Sequence, residues 1–486
     1  LFWSANIKTN QSFNILFASS EIYPLVKTGG LADVAQSLPK ALNGLGHDVR
    51  LIMPAYQQVK EQISQLPCVA TLKILNLDIE ILETKLPDTN IPLYLVDCPS
   101  LFERAGNPYI NEQGQPWPDN AQRFALFCRA IVDVASNKAQ LDWKPNILHC
   151  NDWHTGLACP LLHSEKDRPK IIFTIHNLAY QGLFSHETFI DLQLPEELWS
   201  YERVEYNGQL SFIKAGIVYA DHVNTVSPTY AKEIQTAEYG SGLEQLLQYY
   251  SSKLSGIING INEQEWNPET DKKIFNNYSK KNIHNKLNNK TSLQNQLGLP
   301  VNKDIPLFSV ISRIAEQKGI DLIISILPEL VTAKAQIVIL GSGDKQLEAA
   351  LSDAASKHPN NIAIKIGYDE VLAHNITAAA DFFLMPSRYE PCGLNQMYSQ
   401  SYATIPIVRN TGGLADTVKN YSAAHDQNKG TGIIFDGDNK EELLEAVKVA
   451  LNLYSEKDAF INVKLNAMQQ DFSWENSAIK YLNMYL

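Results

Sequence analysis

Two cations stand five residues apart in "SRIAEQKG" (312–319): Arg313 and Lys318, in a turn that follows the apolar run "LFSVIS". A guanidinium and an ammonium fixed at the end of a strand can hold an anion. Taken singly, either residue is more often a solvated surface charge. A third cation, Lys27, precedes the glycine pair of "KTGGLAD" (27–33), and the hexapeptide "TGGLAD" returns at 411–416. Each copy follows a strand-like run and opens a helical pattern. Glycines at such a junction let backbone amides approach a ligand, and the first turn of a helix carries partial positive charge. The corner suits an anion or a sugar hydroxyl; otherwise the paired glycines serve only tight strand-to-helix packing. Two copies in matching contexts predict a two-walled site with one glycine turn on each wall. Glu390 follows the run "DFFLMPS", and His176 ends "KIIFTIH". Asp152 ends "ILHCND", where an acid either works at a site or caps the next helix. His149, Asp152 and His154 lack a recognised metal-ligand spacing.

These residues need elements to position them. "FNILFAS" (13–19), "VRLIM" (49–53), "PLYLVD" (92–97), "NILHC" (146–150) and "KIIFTIH" (170–176) are apolar runs of strand length bounded by polar or proline residues. Between them, "NAQRFALFCRAIVDVASNK" (120–138) has helical spacing. "TLKILNLDIEILET" (71–84) is a strand pair or one long alternating strand, added antiparallel at an edge. A second series follows: "IPLFSVIS" (305–312), "AQIVIL" (335–340), "NIAIKIG" (361–367), "DFFLMPS" (381–387) and "IPIVRN" (405–410). Repeated strand–helix alternation predicts parallel sheets covered on both faces, and hence two doubly wound α/β domains with a hinge near "GIINGINE" (256–263). Ligands in such sheets sit outside the carboxyl ends of the strands. Pro39, inside "LADVAQSLPKALNGL", predicts a kinked helix or a short first half. The run "KKIFNNYSKKNIHNKLNNK" (272–290), with 12 lysines and asparagines in 19 residues, reads as a solvated face. "GSGDKQ" (341–346) is a weak dinucleotide fingerprint, since Gln346 stands at its third glycine position.

The 486 residues include 41 basic and 53 acidic side chains, a net charge of −12. Such a surface repels phosphate backbones and anionic lipid, which argues against nucleic acid and membrane as partners. No apolar run reaches the roughly 18–20 residues a bilayer needs, and the opening "LFWSANIKTNQSF" lacks a secretory apolar core. The six cysteines (68, 98, 128, 150, 159 and 392) contain no C-x-x-C pair, which predicts reduced, buried thiols.

The block "ASSEIYPLVKTGGLADVAQSLPKAL" (18–42) resembles the N-terminal signature of the bacterial glycogen synthase and plant starch synthase family, which is glycosyltransferase family 5. "HCNDWHTGL" (149–157), "TIHNLAYQG" (174–182), "ADHVNTVSPTYAKEI" (220–234), "GIINGIN" (256–262), "SRIAEQKG", "PSRYEPCGLNQM" (386–397) and "RNTGGLADTV" (409–418) continue the resemblance in order. It implies the GT-B fold: two Rossmann-like domains facing a cleft, with the acceptor domain at 1–258, the nucleotide-sugar domain at 259–466 and a crossing C-terminal helix at 467–486.

The resemblance further implies a retaining transfer of glucose from ADP-glucose to the non-reducing end of an α-1,4-glucan or maltooligosaccharide. No cofactor or metal is expected, because Arg313 and Lys318 hold the donor diphosphate in place of a divalent ion. Glu390 touches the donor sugar or stabilises charge on it, and His176 lies beside the transferred sugar. Asp152 joins them as a catalytic candidate. Lys27 and Gly30 contact the donor, while Cys392, Gly393, Leu394 and Asn395 line its pocket. Tyr368 stacks on the adenine, or else is a half-buried core residue. Asp33, Asn259, Thr411, Gly412 and Gly413 complete the implied donor contacts. Many related transferases carry a second glutamate eight positions after the first; here that position is Tyr398, so a two-glutamate scheme does not transfer. The same motifs are compatible with another donor such as UDP-glucose, or with a silent glucan-binding or nucleotide-sugar-binding protein. The expected compartment is the cytoplasm, or a plastid stroma after removal of a transit peptide.

Overall fold

The run "FNILFAS" supplies β1 (Asn14–Ala18), whose Ile15, Leu16, Phe17 and Ala18 are completely buried in the centre of a nine-stranded sheet. The structure, a computed structural model, describes residues 12–111, 113–422 and 429–486. The opening stretch "LFWSANIKTNQSF" lies almost wholly outside them. Two compact units form: one from the described residues through Val226 with Ala231–Gly260 and Trp474–Leu486, the other from Ser227–Tyr230 and Ile261–Ser473.

In the first unit, β1 is followed by β2 (Asp48–Pro54), β3 (Cys68–Ile74), β4 (Leu77–Lys85), β5 (Pro92–Asp97), β6 (Ile147–Asn151) and β7 (Lys170–Ile175). A small antiparallel sheet of β8 (Leu183–Phe184), β9 (Glu205–Tyr206) and β10 (Gln209–Ser211) precedes β11 (His222–Thr225) and β12 (Leu254–Gly256). The large sheet runs β12-β11-β7-β6-β1-β2-β5-β4-β3 and is parallel except at β3 and β4. The 71–84 stretch is therefore a strand pair, turned by the left-handed Leu75 and Asn76. The chain builds outward from β1 through β2 and then returns to β6, so the switch point lies between β1 and β6.

The helix Gly30–Gly44 runs unbroken through Pro39, whose ring is buried beside Leu38 and Leu42. Packing here offsets an interior-proline penalty of roughly 3 kcal/mol, and neither the kink nor the short first half is seen. The C-terminal helix Trp474–Tyr485 packs on this same unit. His149 bridges Tyr485 Oη and Thr174 Oγ1, both at 2.7 Å, and Asn224 Nδ2 donates to Tyr481 Oη at 3.0 Å.

The second unit has six parallel strands: β13 (Leu307–Ile311), β14 (Gln336–Gly341), β15 (Ile362–Ile366), β16 (Phe382–Met385), β17 (Ile405–Arg409) and β18 (Ile433–Phe435). Their order, β15-β14-β13-β16-β17-β18, puts the switch point between β13 and β16. Phe308, Val310, Ile337, Ile339 and Leu384 anchor its main core.

The lysine–asparagine run is a solvated face only in part: Lys272, Lys280 and Lys281 are exposed, but its end is not. Lys286, Asn289 and Lys290 are fully buried. Lys290 pairs with Asp381 at 2.6 Å, and Lys286 Nζ donates to Ala378 O, Tyr402 O and Thr404 Oγ1 at 2.7–2.9 Å. Buried ammonium groups persist where acceptors replace water, and those acceptors come from residues about 90 to 120 positions away.

All six cysteines are free thiols; Cys68 is exposed and the others are buried. Among the described residues, no helix is long and apolar enough to cross a membrane.

Candidate active site

In the second unit, the loops leaving β13 and β16 enclose a cavity of about 200 Å³ lined by Ser312, Arg313, Lys318, Ser387 and Asn395 together with apolar strand residues. Its position at the switch point follows from topology, because neighbouring loops there diverge to opposite faces of the sheet. Arg313 is exposed, and its guanidinium has no partner among the described residues. Lys318 is different. Its Nζ lies 2.5 Å from Glu390 Oε2, which also accepts from Ser387 Oγ at 3.1 Å. Glu390 is buried, so Lys318 supplies the charge that makes its carboxylate tolerable there. Gly319, with φ +68°, ends the turn that presents Lys318; a Cβ at this glycine would lie 2.2 Å from Pro386 O.

Asn395 begins a helix (Asn395–Ser401), and its Nδ2 donates to Ile311 O at 2.6 Å, tying that helix to the end of β13. Cys392 is buried, Gly393 is left-handed, and Leu394 precedes the helix. Tyr368 stands on the loop after β15 and is 83% exposed, which excludes the core alternative. Tyr398 stacks on Trp266 at 3.9 Å, and His374 stacks on the same indole at 3.8 Å. Nearby, Glu265, Glu370 and His374 gather their ligand atoms as a metal site would. The ammonium of Lys273 lies among them, 3.1 Å from Glu265 and 3.4 Å from His374 Nε2, and it also pairs with Glu370.

The two "TGGLAD" copies play different parts. Thr411, Gly412 and Gly413 of the second copy are fully buried. A Cβ on Gly412 would lie 2.0 Å from Glu390 O, and one on Gly413 would lie 2.1 Å from Cys392 O; the Gly413 amide donates to Glu390 O at 3.1 Å. Asp416 of this copy accepts from Ser227 Oγ at 2.6 Å and from Thr229 Oγ1 at 2.7 Å. These glycines let the Glu390 loop rest on the helix start. In the first copy, a Cβ on Gly29 or Gly30 would meet nothing within 4 Å. Its glycines border open space. "GSGDKQ" follows the packing pattern too: a Cβ on Gly343 would lie 2.1 Å from Ile314 O, and the Gly343 amide donates to Glu348 Oε1 at 2.7 Å.

In the first unit, Asp152 and His176 meet at the ends of β6 and β7. Asp152 adopts φ 56° and ψ 178°, a conformation that costs of order 1–3 kcal/mol. Its amide donates to Thr174 O at 2.9 Å, and its Oδ1 accepts from the His176 amide at 2.7 Å. Burial pushes the Asp152 carboxyl up to about 7, against the backbone bonds from His176 and Asn177. Burial lowers the His176 imidazole to about 3, which keeps it neutral at physiological pH. Asn151 Nδ2 donates to Ala18 O, so its Oδ1 faces His176 Nε2 at 2.9 Å. Nε2 therefore carries the proton, and Nδ1 is an acceptor.

Lys27, exposed just before the helix Gly30–Gly44, pairs at 2.7 Å with the half-buried Asp33 in the first turn of that helix. Asn259 is buried, with Oδ1 unpartnered among the described residues. Thus Arg313, Lys318, Glu390 and Asn395 gather in one unit, and Asp152 with His176 and Lys27 with Asp33 form pairs in the other.

Sequence reasoning missed Ser387, Asn151 and Glu21. Glu21 sits inside the quoted block "ASSEIYPLVKTGGLAD", and its place in that block was the signal. Its carboxylate accepts from the Thr28 amide at 2.5 Å, a contact seven residues along the chain that no periodicity reveals.

Comparison with known proteins finds relatives along nearly the whole chain. Residues 14–249 match the starch synthase catalytic domain family and residues 290–464 match the glycosyl transferases group 1 family. Glycogen synthase 1 of Methylococcus capsulatus is 51% identical over 97% of this chain and 96% of its own. Glycogen synthase of Cellvibrio japonicus is 47% identical over 97% and 98%. Among solved structures, the catalytic domain of starch synthase IV from Arabidopsis thaliana, bound to ADP and acarbose, superposes with a TM-score of 0.87 at 31% identity, covering 98% of this chain and 99% of that one.

Proposed function

The chain belongs to the glycogen synthase and starch synthase family of GT-B glycosyltransferases, and from that premise we propose that its donor is ADP-glucose and its acceptor the non-reducing end of an α-1,4-glucan. The observation that carries this reading is the β13–β16 cavity with Arg313 and Lys318 on its wall, in a chain similar over nearly its whole length to an ADP-bound starch synthase.

Breaking the glucosyl–diphosphate bond leaves negative charge on the diphosphate and oxocarbenium character on the sugar, so fixed cations at the leaving group lower the barrier. Arg313 offers an unpaired guanidinium for this. Lys318 must exchange part of its bond with Glu390 for the phosphate, which frees the Glu390 carboxylate for the sugar. The acceptor hydroxyl attacks from the side on which the diphosphate leaves, and the configuration is retained. His176 presents a neutral Nδ1 to a hydroxyl of the transferred glucose. Asp152 acts through its bond to the His176 amide. Tyr368 stacks on the adenine, Asn259 and Asn395 offer amide groups to the donor, and Lys27 and Gly30 are further donor contacts. The second-copy residues Thr411, Gly412 and Gly413 support the Glu390 loop. With protein cations in these roles, we infer that turnover needs no divalent ion.

Incubation with ADP-[14C]glucose or UDP-[14C]glucose and maltooligosaccharides, with and without EDTA, tests the reading. Label should enter longer chains from ADP-glucose and persist in EDTA. Incorporation from UDP-glucose alone overturns the donor assignment, and loss of activity in EDTA overturns the metal-free scheme.

A further inference from the structure

Glu21 is a buried acid that the scheme above does not use. It follows β1, and its carboxylate collects four donors. Oε2 accepts from the Thr28 amide at 2.5 Å and the Gly29 amide at 3.3 Å. Oε1 accepts from Thr28 Oγ1 at 3.0 Å and Tyr109 Oη at 3.2 Å. Tyr109 is held in turn by Ser20 Oγ at 2.7 Å and by a ring stack on His154 at 4.5 Å. Burial raises the Glu21 carboxyl, and the bonds from Thr28, Tyr109 and Gly29 oppose that rise.

The turn above this carboxylate is held at Lys27 by the ion pair with Asp33 and at Thr28 and Gly29 by Glu21. Lys27, Thr28, Gly29 and Gly30 are exposed, and Gly29, the residue before the helix, has no side-chain cap. Adjacent glycines have the largest conformational freedom to lose. A buried anion binding two successive amides removes that freedom. It also takes up the Thr28 and Gly29 amides.

We propose that Glu21 is the positioning residue of donor binding in the first unit: from beneath the glycine turn it fixes Lys27 and Gly30 in the conformation that meets the sugar nucleotide. The inference rests on the proposed donor role of Lys27, and its test separates the two. Hydrogen bonds to charged groups are strong enough that Glu21→Gln, which exchanges one acceptor oxygen for a donor, should lower kcat/KM for ADP-glucose by about 10-fold. The KM for maltooligosaccharide should stay unchanged, an outcome that general structural damage would not give. Glu21→Gln added to Lys27→Ala should lower kcat/KM by less than the product of the two separate losses, since both act through one turn and only the Gly30 share of the effect remains. Should Glu21→Gln fail to fold, Thr28→Val removes one donor at an exposed position and should lower the same ratio about 3-fold, again with less effect on Lys27→Ala.

Losses that multiply in the double variant overturn the inference, as does an unchanged Glu21→Gln beside an impaired Lys27→Ala. A Lys27→Ala enzyme with normal kcat/KM overturns the donor reading itself, and the inference with it.

Discussion

Alanine at Gly30 and alanine at Gly413 should have opposite consequences, although the two residues occupy the same place in identical hexapeptides. At Gly413 the new Cβ would stand 2.1 Å from Cys392 O, 2.5 Å from Cys392 Cα and 2.6 Å from Cys392 C. These are backbone atoms of the loop that carries Glu390, so no side-chain rotation relieves them. Overpacking of this kind costs about 3 kcal/mol. In a unit of this size that lowers Tm by roughly 6–12 °C. At Gly30 a Cβ meets nothing within 4 Å, and the residue is the first of the helix Gly30–Gly44. Alanine there should leave Tm unchanged or raise it slightly, by up to about 1 kcal/mol of stability from a less flexible unfolded chain. On the proposed contact of Gly30 with the donor, however, the methyl group would occupy ligand space, so kcat/KM for ADP-glucose should fall at least 10-fold. Scanning calorimetry with initial rates of [14C]glucose transfer measures both effects. A Gly413→Ala protein that melts like the wild type, or a Gly30→Ala protein that melts early with normal kcat/KM, would refute the assignment of packing to one copy and ligand space to the other.

Lys318→Ala should lower kcat by roughly 10²–10³-fold, the usual loss when a group stabilising transition-state charge is removed, as measured in the same transfer assay. The Asp152 carboxyl, at about 7 in the fold and about 3.9 unfolded, keeps a proton that the unfolded chain releases. Stability should therefore fall as pH rises from about 4 to 7, by up to about 4 kcal/mol at about 1.4 kcal/mol per unit. Asp152→Asn, whose Oδ1 still accepts from the His176 amide, should flatten that part of a Tm-versus-pH curve; an unchanged slope would remove Asp152 as its cause. Tyr485→Phe deletes the hydroxyl that meets His149 Nδ1 and should destabilise the first unit by about 1–3 kcal/mol, seen as an earlier calorimetric transition with that of the second unit unmoved.

Much of the strand framework was legible. The runs at 13–19, 146–150 and 305–312 became β1, β6 and β13 because a central parallel strand buries both faces and must be continuously apolar. The 71–84 stretch showed alternation because β4 lies near a sheet edge, with one face toward solvent. Short strands such as β12 and β18 carry only three residues each and leave no period to read. At the site, Arg313 and Lys318 were legible as a cation pair at a strand end. Their unequal state, one unpartnered and the other bound to Glu390, depends on a residue 72 positions beyond Lys318.

The sequence alone determined which chemistry is available: cations, a carboxylate, a histidine and two glycine corners at the ends of apolar runs, because strand length and alternation are local properties of a chain. It could not tell the two "TGGLAD" copies apart, since six identical residues have identical propensities. Tertiary structure decided that, by placing backbone against Gly412 and Gly413 and leaving open space at Gly29 and Gly30. The same holds for the lysines at 286 and 290 and for Glu21. Whether a charge faces water or a set of buried partners is fixed by what the rest of the chain brings to it, and local sequence carries no record of those neighbours.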